Sequence, residues 1–406
     1  MPLTKIAAYP RGGSVEQGRA KNRLSVVALV SERGGGDVPP VVALAVGLRD
    51  RGHDERLLCD GAVLDAVRAS GLPTLQLPRT TEQAGFFHPL HLPRMAARAE
   101  VIAADTPNPL VEWAQACLAA ALAEIRPSKP NLLLSTLFCM ALADRAATAL
   151  HIPWVFVNPS FYFGNDARRP WEADFPGLGA GMFRHWMLPL ANSATAVLHA
   201  TDPVFDLPPV SLPRHHHHVG PLLPEPPRSE APAFLAAPGA PWVLVTLSTV
   251  PQAGELAVAR AALEALADRP VRVLVTLAPG HDRSGLGAVP ANARVEGYVP
   301  HDHVLDRACL MIGHAGHGMV MRGLRHGVPM VLVPWGRDQP GVAARAAAMG
   351  VAEVVPRDAC SGERVGQAVD RVMRDGAFAE AALRASARLQ ADDPLARACN
   401  LVEREI

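Results

Sequence analysis

The sequence predicts an α/β protein built from two doubly wound parallel-sheet domains, and three observations predict it. The chain has 406 residues, more than one ordinary hydrophobic core organises. Short apolar runs alternate with amphipathic stretches from Leu24 and again from Trp242, the pattern of parallel strands covered by helices. Between the two series lies Pro221-Leu-Leu-Pro-Glu-Pro-Pro-Arg-Ser-Glu-Ala-Pro232, too rich in proline for either regular element and suited to a semi-rigid linker.

The elements follow in order. Residues 1–22 are polar, basic and glycine-containing, and are expected to be an extension ahead of the first domain. Residues 24–30 read as a strand, 38–51 as a helix stopped by Gly52, 55–59 as a strand, 62–70 as a helix and 74–77 as a strand. The alternation resumes with a helix over 110–125, a strand over 131–135, a helix over 140–150 and a strand over 154–157. The first domain is therefore expected over 23–220 and the linker over 221–240. A second domain over 241–380 opens with a strand at 242–247 and continues through 271–277, a strand near Val295 and one at 309–312. Residues 381–406 read as helical. Open sheets of this kind take ligands beyond the carboxyl ends of their strands, so two such domains facing each other would make a cleft.

Composition narrows the partners. Lys+Arg and Asp+Glu number 39 each, and hydrophobic residues make up 49% of the chain. A balanced charge sets up no long-range field to gather nucleic acid or acidic membranes, so a small neutral or hydrophobic partner fits better. The six cysteines, at 59, 117, 139, 309, 360 and 399, have neither CxxC nor framework spacing, which predicts reduced thiols in a cytoplasmic protein. No apolar run reaches 18 residues, and 1–22 lack the apolar core of a signal peptide, so no stable membrane insertion is expected.

The most informative stretch runs from Cys309 to Gln339. Cys309-Leu-Met-Ile312 is a short strand, Gly313 to Gly318 a turn that needs close backbone approach, and His317 to His326 a helix stopped by Gly327. The free N–H groups and positive dipole end of such a helix suit a phosphate, and His314 adds a donor able to carry charge. After the next strand, Asp338 and Gln339 offer hydrogen bonds of the kind sugar hydroxyls accept. A glycine-rich strand-to-helix turn alone often only makes a corner. Here the histidine and the Asp-Gln pair accompany it, and together they suggest a nucleotide sugar.

This run resembles the donor-binding signature of family-1 glycosyltransferases of the GT-B fold, bacterial natural-product and sterol-type enzymes in particular. The resemblance implies two Rossmann-like domains facing a cleft, with the last helix crossing back to the first domain. It also implies a site in which His314 contacts the diphosphate, Gly316, His317, Gly318 and Met319 supply backbone N–H groups, and Asp338 and Gln339 hold the sugar. Val295-Glu-Gly-Tyr-Val-Pro-His301 resembles the family's base-reading segment. Tyr298 would stack on the nucleobase, Val299 would lend its backbone, and His301 stands in place of a usual glutamine; otherwise Tyr298 only ends a strand. Ser248 and Thr249 end the strand at 242–247, either touching phosphate or serving as turn residues. Relatives that use UDP often place a glutamate on the ribose where this chain has Arg322, so dTDP rivals UDP; Arg322 is alternatively a solvated helix residue.

One carboxylate, Asp37 in Arg33-Gly-Gly-Gly-Asp-Val-Pro-Pro40, lies where a strand end meets a helix start. That position is what a helix N-cap looks like. The resemblance to sterol-type and glycopeptide-antibiotic transferases implies instead, or in addition, the general base that activates an acceptor hydroxyl. At the end of the fourth strand the chain reads Ser135-Thr136, so no second carboxylate is evident there. Aromatics cluster in Phe86-Phe87 and in Phe161-Tyr162-Phe163, as an apolar acceptor pocket or as core packing. The four residues His215 to His218 alternate faces in a strand and cannot converge on one ion, so no metal and no cofactor beyond the nucleotide-sugar co-substrate is expected. The expected activity is inverting transfer of a hexose from a UDP- or dTDP-sugar to a hydrophobic small molecule. The rival readings are a nucleotide-sugar epimerase of the same fold and a binding protein without catalysis.

Overall fold

The computed structural model describes residues 23–31, 35–60, 67, 70–77, 102–164, 171–176, 178–206, 212–223, 231–297 and 299–405. The chain divides into two compact units, one made of 1–172, 176–225 and 393–406, the other of 173–175 and 226–392.

The first unit holds a seven-stranded parallel sheet. Its order is β3 (Thr74–Leu77), β2 (Asp54–Asp60), β1 (Ser25–Val30), β4 (Leu132–Ser135), β5 (Trp154–Asn158), β6 (Ala196–His199), β7 (His216–His218). Strands β4, β5 and β6 are buried at every residue, as expected of strands covered on both faces. Helices α1 (Val38–Asp50), α2 (Pro109–Ile125) and α3 (Met140–Leu150) are the long connections. Asn108 caps α2, its side chain accepting from Leu110 N at 3.0 Å. Strand order reverses between β1 and β4, where a doubly wound sheet opens toward a ligand. Asp37 follows β1, and Thr136 follows β4 with its N–H on the Leu29 carbonyl at 3.1 Å.

The second unit holds a six-stranded parallel sheet, in the order β10 (Ala293–Glu296), β9 (Arg272–Thr276), β8 (Trp242–Thr246), β11 (Ala308–Gly313), β12 (Met330–Leu332), β13 (Ala352–Val354). Its main helices are α4 (Leu256–Leu266), α5 (His317–Arg325), α6 (Gln339–Ala348), α7 (Gly362–Arg374) and α8 (Gly376–Gln390). The reversal here falls between β8 and β11.

The segment 381–406, read as one helical stretch, is two helices. Helix α8 packs on α5 and α7, and the chain breaks over 391–393 before α9 (Pro394–Glu405), which packs on α1. Pro394 opens the second helix, where a missing N–H costs nothing, and Asp393 accepts from Ala396 N at 2.9 Å. Helices α1 and α9 meet at Gly47, where a Cβ would lie 2.8 Å from Leu395 Cδ1 and 3.0 Å from Cys399 Sγ. Buried His53 ties this helix to the sheet. Leu24 N donates to its Nδ1 at 3.1 Å, which leaves Nε2–H to donate to Glu403 at 3.0 Å. Arg51 reaches the same Glu403 at 3.0 Å and Asn400 at 2.7 Å.

The histidine run at 215–218 is an edge strand bonded into the fold. His199 Nδ1 meets Asn158 Nδ2 at 2.8 Å, and its Nε2 meets His216 Nδ1 at 3.1 Å. His216 Nε2 in turn meets Asn192 Oδ1 at 3.2 Å. Burial first, then the neighbouring histidines, hold His216 down at about 3 and His199 well below its ordinary value, so both rings are neutral. Asn158 then donates to His199, His199 to His216, and His216 to Asn192, each ring accepting at Nδ1 and giving at Nε2.

Glu55 on β2 is 2% exposed, and neither carboxyl oxygen has a hydrogen-bond partner. Burial, then Asp54, pushes its pKa up to about 9 from an ordinary 4.5. The folded state therefore keeps a proton that the unfolded chain releases above 4.5, so stability is full in acid and falls as pH rises toward 9. Glu55→Gln removes that slope. Thermal melts at mildly acidic and mildly alkaline pH should show the variant gaining at least ~2 °C on the wild type at the alkaline end; equal pH dependence in both would refute the assignment.

Candidate functional site in the second unit

The reversal between β8 and β11 brings two strand ends side by side, Thr246 pairing with Gly313. Beyond β11 the chain passes His314 and Ala315, the latter at φ 65°, and enters α5 with Gly316 as N-cap at ψ 128°. No side chain caps this helix. The His314 ring lies against the turn so closely that a Cβ on Gly316 would stand 2.4 Å from Nε2. Glycine is required here by contact, at an ordinary φ of −65°. His317 is buried, Gly318 exposed and Met319 half-buried.

His314 is 6% exposed. Burial lowers its pKa to about 4, against the pull of Glu255 and of the Thr246 main chain and with the push of Arg337 and His281. Burial thus keeps the ring neutral at neutral pH. Its Nδ1 has no closely aligned hydrogen-bond partner.

Beyond β8, Ser248 is 2% exposed, and its hydroxyl accepts from Gln252 Nε2 at 3.0 Å; Thr249 is exposed. Glu255, just ahead of α4, was not singled out from the sequence. It is 1% exposed and accepts from Gln252 N at 3.0 Å and from His281 Nε2 at 2.6 Å. Burial works to raise its pKa, but His281, Ser248, the Gln252 N–H and nearby His314 outweigh that and hold the carboxyl below its ordinary value. A glutamate reaching back three residues to a backbone N–H is a capping-box device, and the Gln-x-x-Glu spacing was its signal. His281 has no local signal, because its loop meets Glu255 only through the sheet.

Beyond β12 the chain turns through Trp335, Gly336, Arg337 at φ 60° and Asp338 into α6. Gln339 is 2% exposed, and its Oε1 accepts from Trp335 N at 2.8 Å and Gly336 N at 3.0 Å. Its carbonyl is therefore committed to the turn, and only the amide nitrogen is available to a sugar. Asp338 is half-buried and makes no side-chain cap to α6.

On the base-reading side, Val299 is buried and Tyr298 lies outside the described residues. His301 joins Thr276 Oγ1 at 3.0 Å and Met319 Sδ at 3.2 Å, and burial lowers its pKa to about 4. Arg322 is not a solvated helix residue: its guanidinium pairs with Asp302, whose other oxygen meets His326 at 2.9 Å.

In the first unit, Asp37 is buried in a short turn of 3-10 helix, with α-helical φ and ψ and no side-chain cap to α1. The N-cap reading is thereby corrected. A cap needs extended backbone to aim its oxygen at the following N–H groups, and φ −86°, ψ −18° aim it elsewhere. Phe161 and Phe163 are interior, Phe163 lying 5.2 Å from the Phe183 ring and 6.2 Å from Phe156. Tyr162 is half-buried, edge-on to His199 and His216. Phe86 and Phe87 lie outside the described residues.

Residues 260–400 match the family model described as erythromycin biosynthesis protein CIII-like, C-terminal domain. The chain is 32% identical over 162 residues to demethyllactenocin mycarosyltransferase of Streptomyces fradiae, covering 39% of this chain and 34% of that protein. It is 32% identical over 231 residues to 4'-demethylrebeccamycin synthase of Lentzea aerocolonigenes, covering 56% and 53%. The chain thus spans a third to about half the length of these relatives. The crystal structure of CalG4, the calicheamicin glycosyltransferase, superposes with a TM-score of 0.73 at 21% identity, over 95% of this chain and 98% of that one. The fold is that of the GT-B proteins. Among the described residues no helix is long and apolar enough to cross a membrane, and no group of three or more His, Cys, Asp or Glu is placed to hold a metal ion.

The Gln339 geometry separates a turn residue from a purely ligand-binding one. Gln339→Ala strands two N–H groups, so it should cost about 1–3 kcal/mol of stability without any ligand present. Denaturant unfolding measures this; an unchanged midpoint would mean the side chain serves ligand alone.

Proposed function

We propose that this chain, which belongs by its fold and by residues 260–400 with the GT-B glycosyltransferases of natural-product biosynthesis, is an inverting hexosyltransferase. It takes the sugar of an α-linked UDP or dTDP donor to a hydroxyl of a hydrophobic small molecule. The observation that carries the reading is His314 packed against the uncapped start of α5 at the reversal point of the second sheet. A diphosphate there would meet backbone N–H groups of Gly316 to Met319, the helix dipole and the imidazole, with Ser248 and Thr249 at the adjoining strand end.

The leaving group of this reaction is the nucleoside diphosphate, whose charge grows as the bond from the anomeric carbon breaks. Preorganised donors to that charge are worth roughly 3 kcal/mol each, which removes the need for a metal. Asp338 and the amide nitrogen of Gln339 are the groups proposed to hold sugar hydroxyls. Tyr298 is proposed to stack on the base beside the Val299 backbone. Asp37 is the proposed general base: it takes the acceptor proton as the hydroxyl attacks the anomeric carbon from the face opposite the diphosphate, giving a β-glycoside. Its place beyond the carboxyl end of β1, where the strand order reverses, supports this assignment. The acceptor is proposed to be apolar, with Phe86, Phe87 and Tyr162 as candidate contacts; Phe161 and Phe163, also in that proposed set, are buried on either side of Tyr162 in the chain. A cytoplasmic location and a nucleotide-sugar co-substrate without a resident cofactor complete the proposal.

Two measurements test it. Calorimetric titration with UDP, dTDP and GDP should show micromolar binding of UDP or dTDP that weakens at least ~10-fold in His314→Ala; no binding by folded wild type would sink the donor site. Asp37→Asn should lower turnover by about 10²–10⁴ with donor affinity unchanged, and full transfer activity in that variant would remove Asp37 as base.

A further inference from the structure

We propose that Trp335 is a positioning residue that holds the diphosphate side and the sugar side of the donor site in register, so that a nucleoside diphosphate and its sugar are bound as one ligand. The inference rests on the donor-site reading above and names a residue that reading does not use.

Two loops carry the two halves of that site. The loop beyond β8 holds Ser248 and Thr249, and the turn beyond β12 holds Asp338 and Gln339. Strands β8 and β12 are not neighbours, because β11 lies between them. Sheet pairing alone therefore leaves the two strand ends roughly 10 Å apart, and side chains must set the spacing of the loops.

Trp335 bridges that gap. It is 9% exposed, and each of its polar groups is engaged. Its N–H donates to Gln339 Oε1 at 2.8 Å, inside the turn. Its indole Nε1–H donates across to the Ala253 carbonyl at 2.9 Å. Its carbonyl accepts from Arg357 Nη1 at 3.1 Å, and the same guanidinium lies over the ring, 4.5 Å from the centroid.

The loop beyond β8 is shaped to meet the ring. Gly254 has φ 80°, a conformation that favours glycine, and a Cβ there would stand 3.3 Å from Trp335 Cζ2. Two further contacts span the same gap. Arg337, at φ 60°, donates from Nη2 to the Val250 carbonyl at 3.2 Å, and a Cβ on Gly336 would stand 3.0 Å from Gln252 Oε1. Gln252 Nε2 in turn donates to Ser248 Oγ at 3.0 Å. The turn that carries Asp338 and Gln339 is thus bonded to the loop that carries Ser248 and Thr249.

A ligand that engages both loops gains its second contact at the effective concentration their fixed spacing sets. A bare nucleoside diphosphate engages only the first. Loosening the register therefore weakens the intact donor and spares the bare nucleotide, whereas a general loss of stability acts on both alike.

The test is calorimetric titration of the full chain with UDP, UDP-glucose, dTDP and dTDP-glucose, comparing wild type with Trp335→Phe, which keeps an aromatic ring and removes the indole N–H. Loss of that one hydrogen bond should raise the Kd of the glucose-bearing nucleotide about 5-fold, with the Kd of the matching bare nucleotide within about 2-fold of wild type. Equal changes in both affinities, or none in either, would overturn the inference while leaving the donor site standing, as would a wild type that binds the bare nucleotide and not its glucose conjugate. Should Trp335→Phe fail to fold, Arg337→Ala removes the second bridge and should show the same selective loss; a matching loss for the bare nucleotide overturns the inference. A folded wild type that binds neither bare nucleotide would overturn the donor-site reading and the inference with it.

Discussion

Parallel pairing at the two points where strand order reverses is the constraint on which the rest depends. In each sheet, the connections on either side of the reversal lead away in opposite directions along the strand order, so the two carboxyl ends there stay uncovered. In the first unit those ends carry Asp37 and Thr136; in the second they carry Ser248 and His314. Pairing of Thr246 with Gly313 brings together residues separated by more than sixty positions in sequence. Chemistry in this fold is a consequence of sheet order before it is a matter of side-chain choice.

Burial then decides what the side chains can do. His314, His301, His216 and His199 are all driven toward neutrality by the loss of water, yet their fates differ with their neighbours. His199 and His216 sit in a chain of neutral donors and acceptors that uses up both ring nitrogens, so they hold strands and the start of the 158–164 loop together. His314 has a buried anion nearby and an uncapped helix before it. The same residue type is bonded into the fold at one sheet edge and placed against a helix start at the reversal point of the other sheet.

The sequence showed the fold well because period and punctuation are local. Strands of the 131–135 and 154–157 kind, continuous in apolar residues and bounded by proline or polar turns, announce a parallel sheet directly. The short edge strand His216–His218 was harder, since a three-residue strand of histidines has no hydrophobic period. The break over 391–393 was legible in principle from Pro394, but an alanine-rich flank hides it. In the site, the strand, turn and helix around His314 and the Asp338-Gln339 pair were readable because they are contiguous. Gln339's commitment to Trp335 and Gly336 was not, since a glutamine's acceptor is assigned only when the turn closes on it. Arg322 and His281 escaped for the opposite reason: their partners, Asp302 and Glu255, lie 20 and 26 positions away.

Charge distribution follows the same logic. The chain has equal numbers of acidic and basic groups, and the second unit keeps buried carboxylates and cations together at close range. Asp302 is held well below its ordinary value although burial opposes it, because His326 and Arg322 surround it. Glu255 is held down by His281, Ser248 and Gln252 against the same opposition. Arg322 is thus held beside a carboxylate and is not left as an unbalanced buried cation. The arrangement has a physical advantage, since a cluster of unbalanced buried cations would destabilise the empty site by desolvation and mutual repulsion. Neutral imidazole, as at His314 and His301, avoids that cost.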